Sequence, residues 1–159
     1  MSVVTPCLWF DGQAEEAAEL YTSLVPNSRI VHVAHYGEAG PGETGSAMLV
    51  TFELDGRRFS ALNGGPEYTF TPAISLEIEC RDQAEVDRYW SRLTDGGEEG
   101  PCGWLTDRFG VSWQIVPLRL KELLSDPAVS QRVMQAMFQM KKLEIAGLEA
   151  AASEPAPAA

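Results

Sequence analysis

"AISLEIECRDQAEVDRYWSRL", residues 73–93, decides the architecture, because an order of elements already used once begins again in it. Ile74, Leu76 and Ile78 alternate with Ser75, Glu77 and Glu79, the period-two pattern of a half-buried strand over 73–80. Asp82, with Glu85 three residues on, has the form of a capping box and predicts a helix start. That helix carries Val86, Tyr89, Trp90 and Leu93 on one face and stops near Gly96-Gly97. Working backward, "VVTPCLWF" (3–10) reads as a strand. "DGQAEEAAELYTSLVP" (11–26) places Ala14, Ala17, Ala18, Tyr21 and Val25 at helical spacing, and Pro26 ends the helix. Three strand-like runs follow, "SRIVHVAHY", "SAMLVTFEL" and "RRFSALN". A Gly- and Pro-rich loop, "GEAGPGETG", separates the first two, and the hairpin signal Asp55-Gly56 joins the last two.

Working forward, a short strand around 98–105 and "DRFGVSWQIVP" (107–117), a strand entered through a Gly turn, complete the second set. The letters Gln13-Ala14-Glu15 recur as Gln83-Ala84-Glu85. The expectation is an α+β fold of two tandem βαβββ modules, about 3–63 and 72–117, in a domain of residues 1–118. Asp126-Pro127 is an N-cap followed by proline at the first helical position. From there the chain reads as helical to about Ala152, with Val129, Val133, Met137, Met140 and Leu148 apolar. This helical extension, 119–152, has two open readings: a helix packed on its own domain, or an arm that forms a dimer. "SEPAPAA" (153–159) reads as a disordered tail.

A chain of 159 residues with 45% apolar residues is long enough to bury one core. Twelve basic and 23 acidic residues give a net charge of −11, which repels polyanions and argues against nucleic acid or an anionic membrane as partner. There is no charged-then-apolar leader and no apolar run near membrane-spanning length. Cys7, Cys80 and Cys102 lack CxxC spacing and predict reduced thiols in a cytoplasmic protein.

Individual side chains give weaker signals. His32 and His35 are three apart on a predicted strand, so regular alternation sends them to opposite faces and away from a shared metal ion. Glu77 and Glu79 share a face; on a concave sheet Glu77 could act as a base, and on an exposed one both are solvated acids. Cys7 and Cys102 have no local basic partner, and mid-strand Cys7 reads as a buried, inert thiol. Trp9 and Trp104 can line a pocket or pack a core. "NGGP" (63–66) lacks a P-loop lysine and a following helix, and neither GxGxxG nor GxSxG occurs.

"WFDGQAEEAAELYTSLVPNSRI", "ALNGGP", "DQAEVDRYWSRL" and "CGWLTDRFGVSWQIVP" together resemble the PhnB-like branch of the vicinal oxygen chelate superfamily, over about residues 3 to 150. Glyoxalase I, extradiol dioxygenases and bleomycin and fosfomycin resistance proteins belong to the same superfamily. The resemblance implies a curled mixed sheet of the glyoxalase/bleomycin resistance type and a homodimer. Members of the branch often bear the name 3-demethylubiquinone-9 3-methyltransferase, but this chain has no Gly-rich strand-to-helix turn of the usual S-adenosylmethionine kind. In the superfamily's metal enzymes, His or Glu from four strands holds a divalent ion. By strand register those positions fall on Thr5, Asn63, Ser75 and Gln114, the last four residues after Gly110.

All four are neutral hydroxyl or amide groups, poor ligands for zinc, iron or nickel and good hydrogen-bonding groups for an organic molecule. With Cys7, Trp9 and Glu77 they form the candidate ligand-binding set, and Glu77 is the candidate catalytic residue. The implied protein binds a small polar molecule in a metal-free concave pocket, with no metal and no cofactor. The alternatives are an isomerase, lyase or dioxygenase, metal-dependent or using Glu77, and the methyltransferase of the family's name.

Overall fold

The computed structural model describes residues 3–154, and the chain divides into two compact units, one up to Phe70 and one from Thr71 onward. In the first unit the order is β1 (Cys7–Phe10), α1 (Ala14–Leu24), β2 (Arg29–His35), β3 (Ala47–Leu54) and β4 (Arg57–Asn63). The sheet runs β1-β4-β3-β2, with β1 parallel to β4 and the other pairs antiparallel. Alternate residues of β3 and β4, among them Val50, Phe52, Phe59 and Ala61, are buried together with Ala14, Ala17, Ala18 and Tyr21 of α1. The alanines let the helix lie close to the sheet. Phe52 stacks on Phe59 at 5.4 Å, and each such ring contributes about 2 kcal/mol by leaving water. Asp55 and Gly56 take φ values of +46° and +73°, the left-handed pair that closes a tight hairpin.

β1 starts at Cys7, four residues later than the sequence predicts, and Val3 and Val4 are exposed. Pro6 has no N–H to give the ladder and only accepts from the Ser60 amide at 2.9 Å. Cys7 is therefore exposed at the head of the strand instead of buried within it. β2 carries register shifts between Ile30 and His32 and between Ala34 and His35. The pairing of β2 is regular from His32 (to Thr51) to Ala34 (to Leu49), and the second shift, which brings His35 to Ala47, leaves the extra residue, Met48, on β3.

The second unit repeats the scheme: β5 (Leu76–Cys80), α2 (Gln83–Thr94), β6 (Glu98–Glu99), β7 (Trp104–Thr106) and β8 (Ser112–Pro117), in the order β5-β8-β7-β6. The two four-stranded mixed sheets are those of the predicted tandem α+β fold. Asp82 accepts from the Glu85 amide at 2.9 Å, while the Glu85 carboxylate turns back to the Arg81 amide at 2.8 Å, one residue earlier than a strict capping box. Trp113 and Ile115 are buried with Val86, Tyr89 and Leu93 of α2, which leaves Gln114 on the other face of β8. Asp107, buried ahead of β8, accepts from the Phe109 and Val111 amides and from the Trp113 indole at 2.9–3.0 Å. The turn is thus fastened to the core by one carboxylate.

The predicted long helix from Pro127 to Ala152 is corrected to shorter pieces, α4 (Ser130–Met137) and α5 (Ile145–Ser153), preceded by α3 (Leu118–Ser125). Asp126 accepts from the Ala128 amide at 2.9 Å in a turn, and helix begins only at Ser130. Between α4 and α5, the Met140 and Lys141 carbonyls accept from the Cys102 and Gly103 amides at 2.8 and 2.7 Å. Gln83 adds bonds to the Leu143 carbonyl and the Ile145 amide. These bonds hold the segment in turns and a bend and override its helical propensity. Val116, Leu120, Leu123, Val133, Leu143 and Leu148 form the core of this part, so the helices pack within the second unit. Of the predicted tail, Ser153 ends α5, and residues 155–159 lie outside the described residues. No helix among the described residues is long and apolar enough to cross a membrane.

Candidate functional site

On β7, β8 and β5 of the second unit, Trp104, Gln114 and Glu77 stand in one row, paired in register across the three strands. The row lies on the sheet face opposite α2 and lines an open cavity of about 460 Å³. Gln114 Nε2 donates to Ser75 Oγ at 2.9 Å. Three of the seven residues picked from the sequence are therefore brought together: Ser75, Glu77 and Gln114. Trp104 joins them and lines the cavity as one of the two readings of its sequence position allowed.

The sequence reading missed the rest of the lining. Leu120, Lys121 and Leu124 of α3, with Met137 and Phe138 at the end of α4, form one wall, and Pro101, Cys102 and Val116 complete the lining. The spacing of Leu120, Leu123 and Leu124 after Pro117 was the available signal for α3. Lys121 donates to Glu77 Oε1 at 2.5 Å and also to the Glu79 carboxylate, which hold its ammonium above the ordinary lysine range. Any proton transfer by Glu77 has to compete with this ion pair.

The other chosen residues lie in the first unit. Asn63 turns toward the helix layer: its Oδ1 accepts from the Ala14 amide at 2.9 Å, capping α1, and its Nδ2 donates to the Ala47 carbonyl at 2.9 Å. It also borders an open cavity of about 510 Å³ with Asp11, Glu15, His35 and Tyr36, whose hydroxyl donates to the Asn63 carbonyl at 2.6 Å. Trp9 lies over Gly64, where a Cβ would come within 2.3 Å of the ring, and its indole donates to the Gly65 carbonyl at 2.8 Å. Tyr68 meets it edge-on at 5.0 Å. Thr5 is exposed ahead of β1. Cys7 is exposed as a residue, but partial desolvation of its sulfur still raises the thiol; burial pushes the Cys80 thiol up to about 12, with Glu85 adding to it, so neither favours the nucleophilic thiolate.

The donor set does not fit the divalent ion that the fold's metal enzymes hold. Ser75 and Gln114 are neutral and bonded to each other, and both polar ends of the Asn63 amide are engaged within the protein. Among the described residues, no three His, Cys, Asp or Glu side chains converge on one point. The Gly64-Gly65 turn does not fit the methyl donor either, since the Trp9 ring fills its space and the next helix starts only at Gln83.

Comparison with known proteins accords with this architecture. A solved PhnB protein of Bacillus cereus, which carries the 3-demethylubiquinone-9 3-methyltransferase name, is 37% identical with a TM-score of 0.67, over 73% of this chain and 99% of its own. A Pseudomonas aeruginosa protein shares the fold at 20% identity and a TM-score of 0.61, over 74% of this chain and 98% of its own. The fosfomycin resistance protein FosX of Mesorhizobium loti shares it at 15% identity and 0.53, over 79% and 98%. No curated protein matches the chain. The sequence profile of the 3-demethylubiquinone-9 3-methyltransferase family matches residues 2–116. On that match and the Bacillus relative, the chain belongs to this family, the PhnB-like branch of the vicinal oxygen chelate superfamily.

Proposed function

We propose that the cavity of the second unit binds a small polar organic molecule without a metal ion. The observation that carries this reading is the Gln114–Ser75 bond, set in a row with Trp104 and Glu77 on the floor of a cavity of about 460 Å³. A neutral amide beside a hydroxyl and an indole offers hydrogen bonds and a flat apolar surface, the usual furniture of an organic-ligand pocket. Metal content, measured by elemental mass spectrometry on untagged protein purified without chelator, tests it. The expected result is below about a tenth of an equivalent, no thermal shift with divalent metals, and a shift with small organic ligands. A near-stoichiometric metal overturns the reading and turns the search to Glu77, Glu79, His32 and His35.

We also infer a cytoplasmic homodimer that engages neither nucleic acid nor membrane. The three free thiols support a reducing compartment, and the net charge of −11 opposes polyanionic surfaces. β1 lies at the edge of its sheet, with exposed Val3 and Val4 ahead of it, which supports a second copy as partner. Light scattering during size-exclusion chromatography should give twice the chain mass of 17.4 kDa, and the single mass would remove the dimer.

A further inference from the structure

The cavity of the second unit has walls of two origins. Its strand residues lie within the family match to residues 2–116, whereas Leu120, Lys121, Leu124, Met137 and Phe138 come from beyond it. Four of these five are apolar, and Phe138 is 60% exposed although its neighbours Met137 and Met140 pack against the buried cluster. A large ring left in water beside a cavity is apolar area that no protein contact uses and that a ligand can cover. Charge narrows the choice further. Lys121 is bonded both to Glu77, which lines the cavity, and to Glu79, which does not, so the one ammonium of the lining is shared between two carboxylates. An anion meets an ammonium already engaged, on a chain of net charge −11.

We propose that the segment after the family domain, from Leu120 to Phe138, sets the ligand class of this cavity: an aromatic amphiphile with a hydrogen-bonding group and no negative charge. This rests on the reading of the cavity as the binding site. The ring lies between Trp104 and the apolar side chains of α3 and α4, with Phe138 over its open side, and the polar group meets Gln114. The family domain supplies the amide and indole, and the added helices select among molecules that carry a matching group.

Two fluorescent probes with one ring system separate the possibilities: neutral N-phenyl-naphthylamine and its anionic analogue anilinonaphthalene sulfonate. Each is titrated into the full-length protein, Phe138→Ala and Gln114→Ala. The neutral probe should bind at least about tenfold more tightly than the sulfonate. Phe138→Ala, at an exposed position that spares the core, should weaken the neutral probe about fivefold or more. A sulfonate that binds equally or better overturns the proposal. If Gln114→Ala weakens the neutral probe and Phe138→Ala does not, the cavity still binds ligand but the added helices do not select it, and the proposal falls alone. If the neutral probe does not bind, or ignores both substitutions, the binding reading falls and takes the proposal with it.

Discussion

The two units share one strand order, yet they start their helices by different means. In the second, Asp82 sits next to the helix and caps it by accepting from the Glu85 amide, three residues on in the chain. In the first, Gly12, at φ +92°, separates Asp11 from the helix, Gln13 stands at the cap position without capping, and Asn63 reaches in from the end of β4. The shared letters Gln-Ala-Glu are consequently out of step by one position relative to the two helix starts. A similar exchange appears in the sheets. β2 and β3 have seven and eight residues, whereas their counterparts β6 and β7 have two and three. The second unit makes up for this thin sheet edge with a C-terminal segment bonded to its 102–103 turn. A repeated topology therefore fixes which strands are neighbours, while the means of closing each unit is free to vary.

The comparison can be broken most severely by removing that segment. Ending the chain after Leu124 strips Val133, Leu143 and Leu148 from Val116, Leu120 and Leu123. Aggregated or unfolded protein is the expected outcome of size-exclusion chromatography and circular dichroism, and a soluble, folded truncation would show that the second unit closes without it. Next in size is Gly103→Ala. A Cβ there would lie 2.8 Å from the Ile115 carbonyl and 2.9 Å from Leu143, at φ +83°. Both clash and backbone strain act together, so urea denaturation should register a loss of about 3 kcal/mol.

The two caps sharpen the contrast directly. Asn63→Ala removes two half-buried hydrogen bonds and should cost about 2 kcal/mol, whereas Asp82→Ala removes an exposed one and should cost about 1 kcal/mol. Equal losses would mean that sequence distance does not matter to the cap. The smallest effect is electrostatic. Hydrogen bonds from Lys142 and Gln83 hold Asp87 below the ordinary aspartate range. The stabilisation is therefore present above about pH 4 and is lost as pH falls through the lowered value. Asp87→Asn should flatten the acid limb of the thermal-stability profile slightly, and it should leave neutral-pH ligand binding unchanged.

The sequence made the repeat legible because alternation along β5, the helical face of α2 and the Asp55-Gly56 hairpin are local signals. Local signals failed where distant groups intervene. The residues around Met140 read as helix because nothing near them announces that Cys102 and Gly103 will take their carbonyls. Similarly, β1 looks long until the absent donor of Pro6 is counted. At the site, Gln114 is paired in register with Glu77, and Ser75, one residue ahead of β5, meets it through a side-chain hydrogen bond. That Asn63 also bonds the first amide of α1 is announced by nothing local, since the chain position ahead of the helix, Gln13, offers no cap of its own. The α3 and α4 wall stayed hidden because a cavity drawn from separate helices has no sequence period of its own.

The bonds that join Met140 and Lys141 to the 102–103 turn also bear on how the chain is made. Synthesis runs from the N-terminus, and a unit can fold only when all its parts have emerged from the ribosome. The first unit has every strand and its cap once Asn63 is out. The second has its last strand at Pro117, but its turn and its cavity wall wait for α3, α4 and the segment after them, which are made later. During that interval Trp104 and Val116 are uncovered, so the nascent second unit, rather than the first, is the stretch on which a chaperone would act.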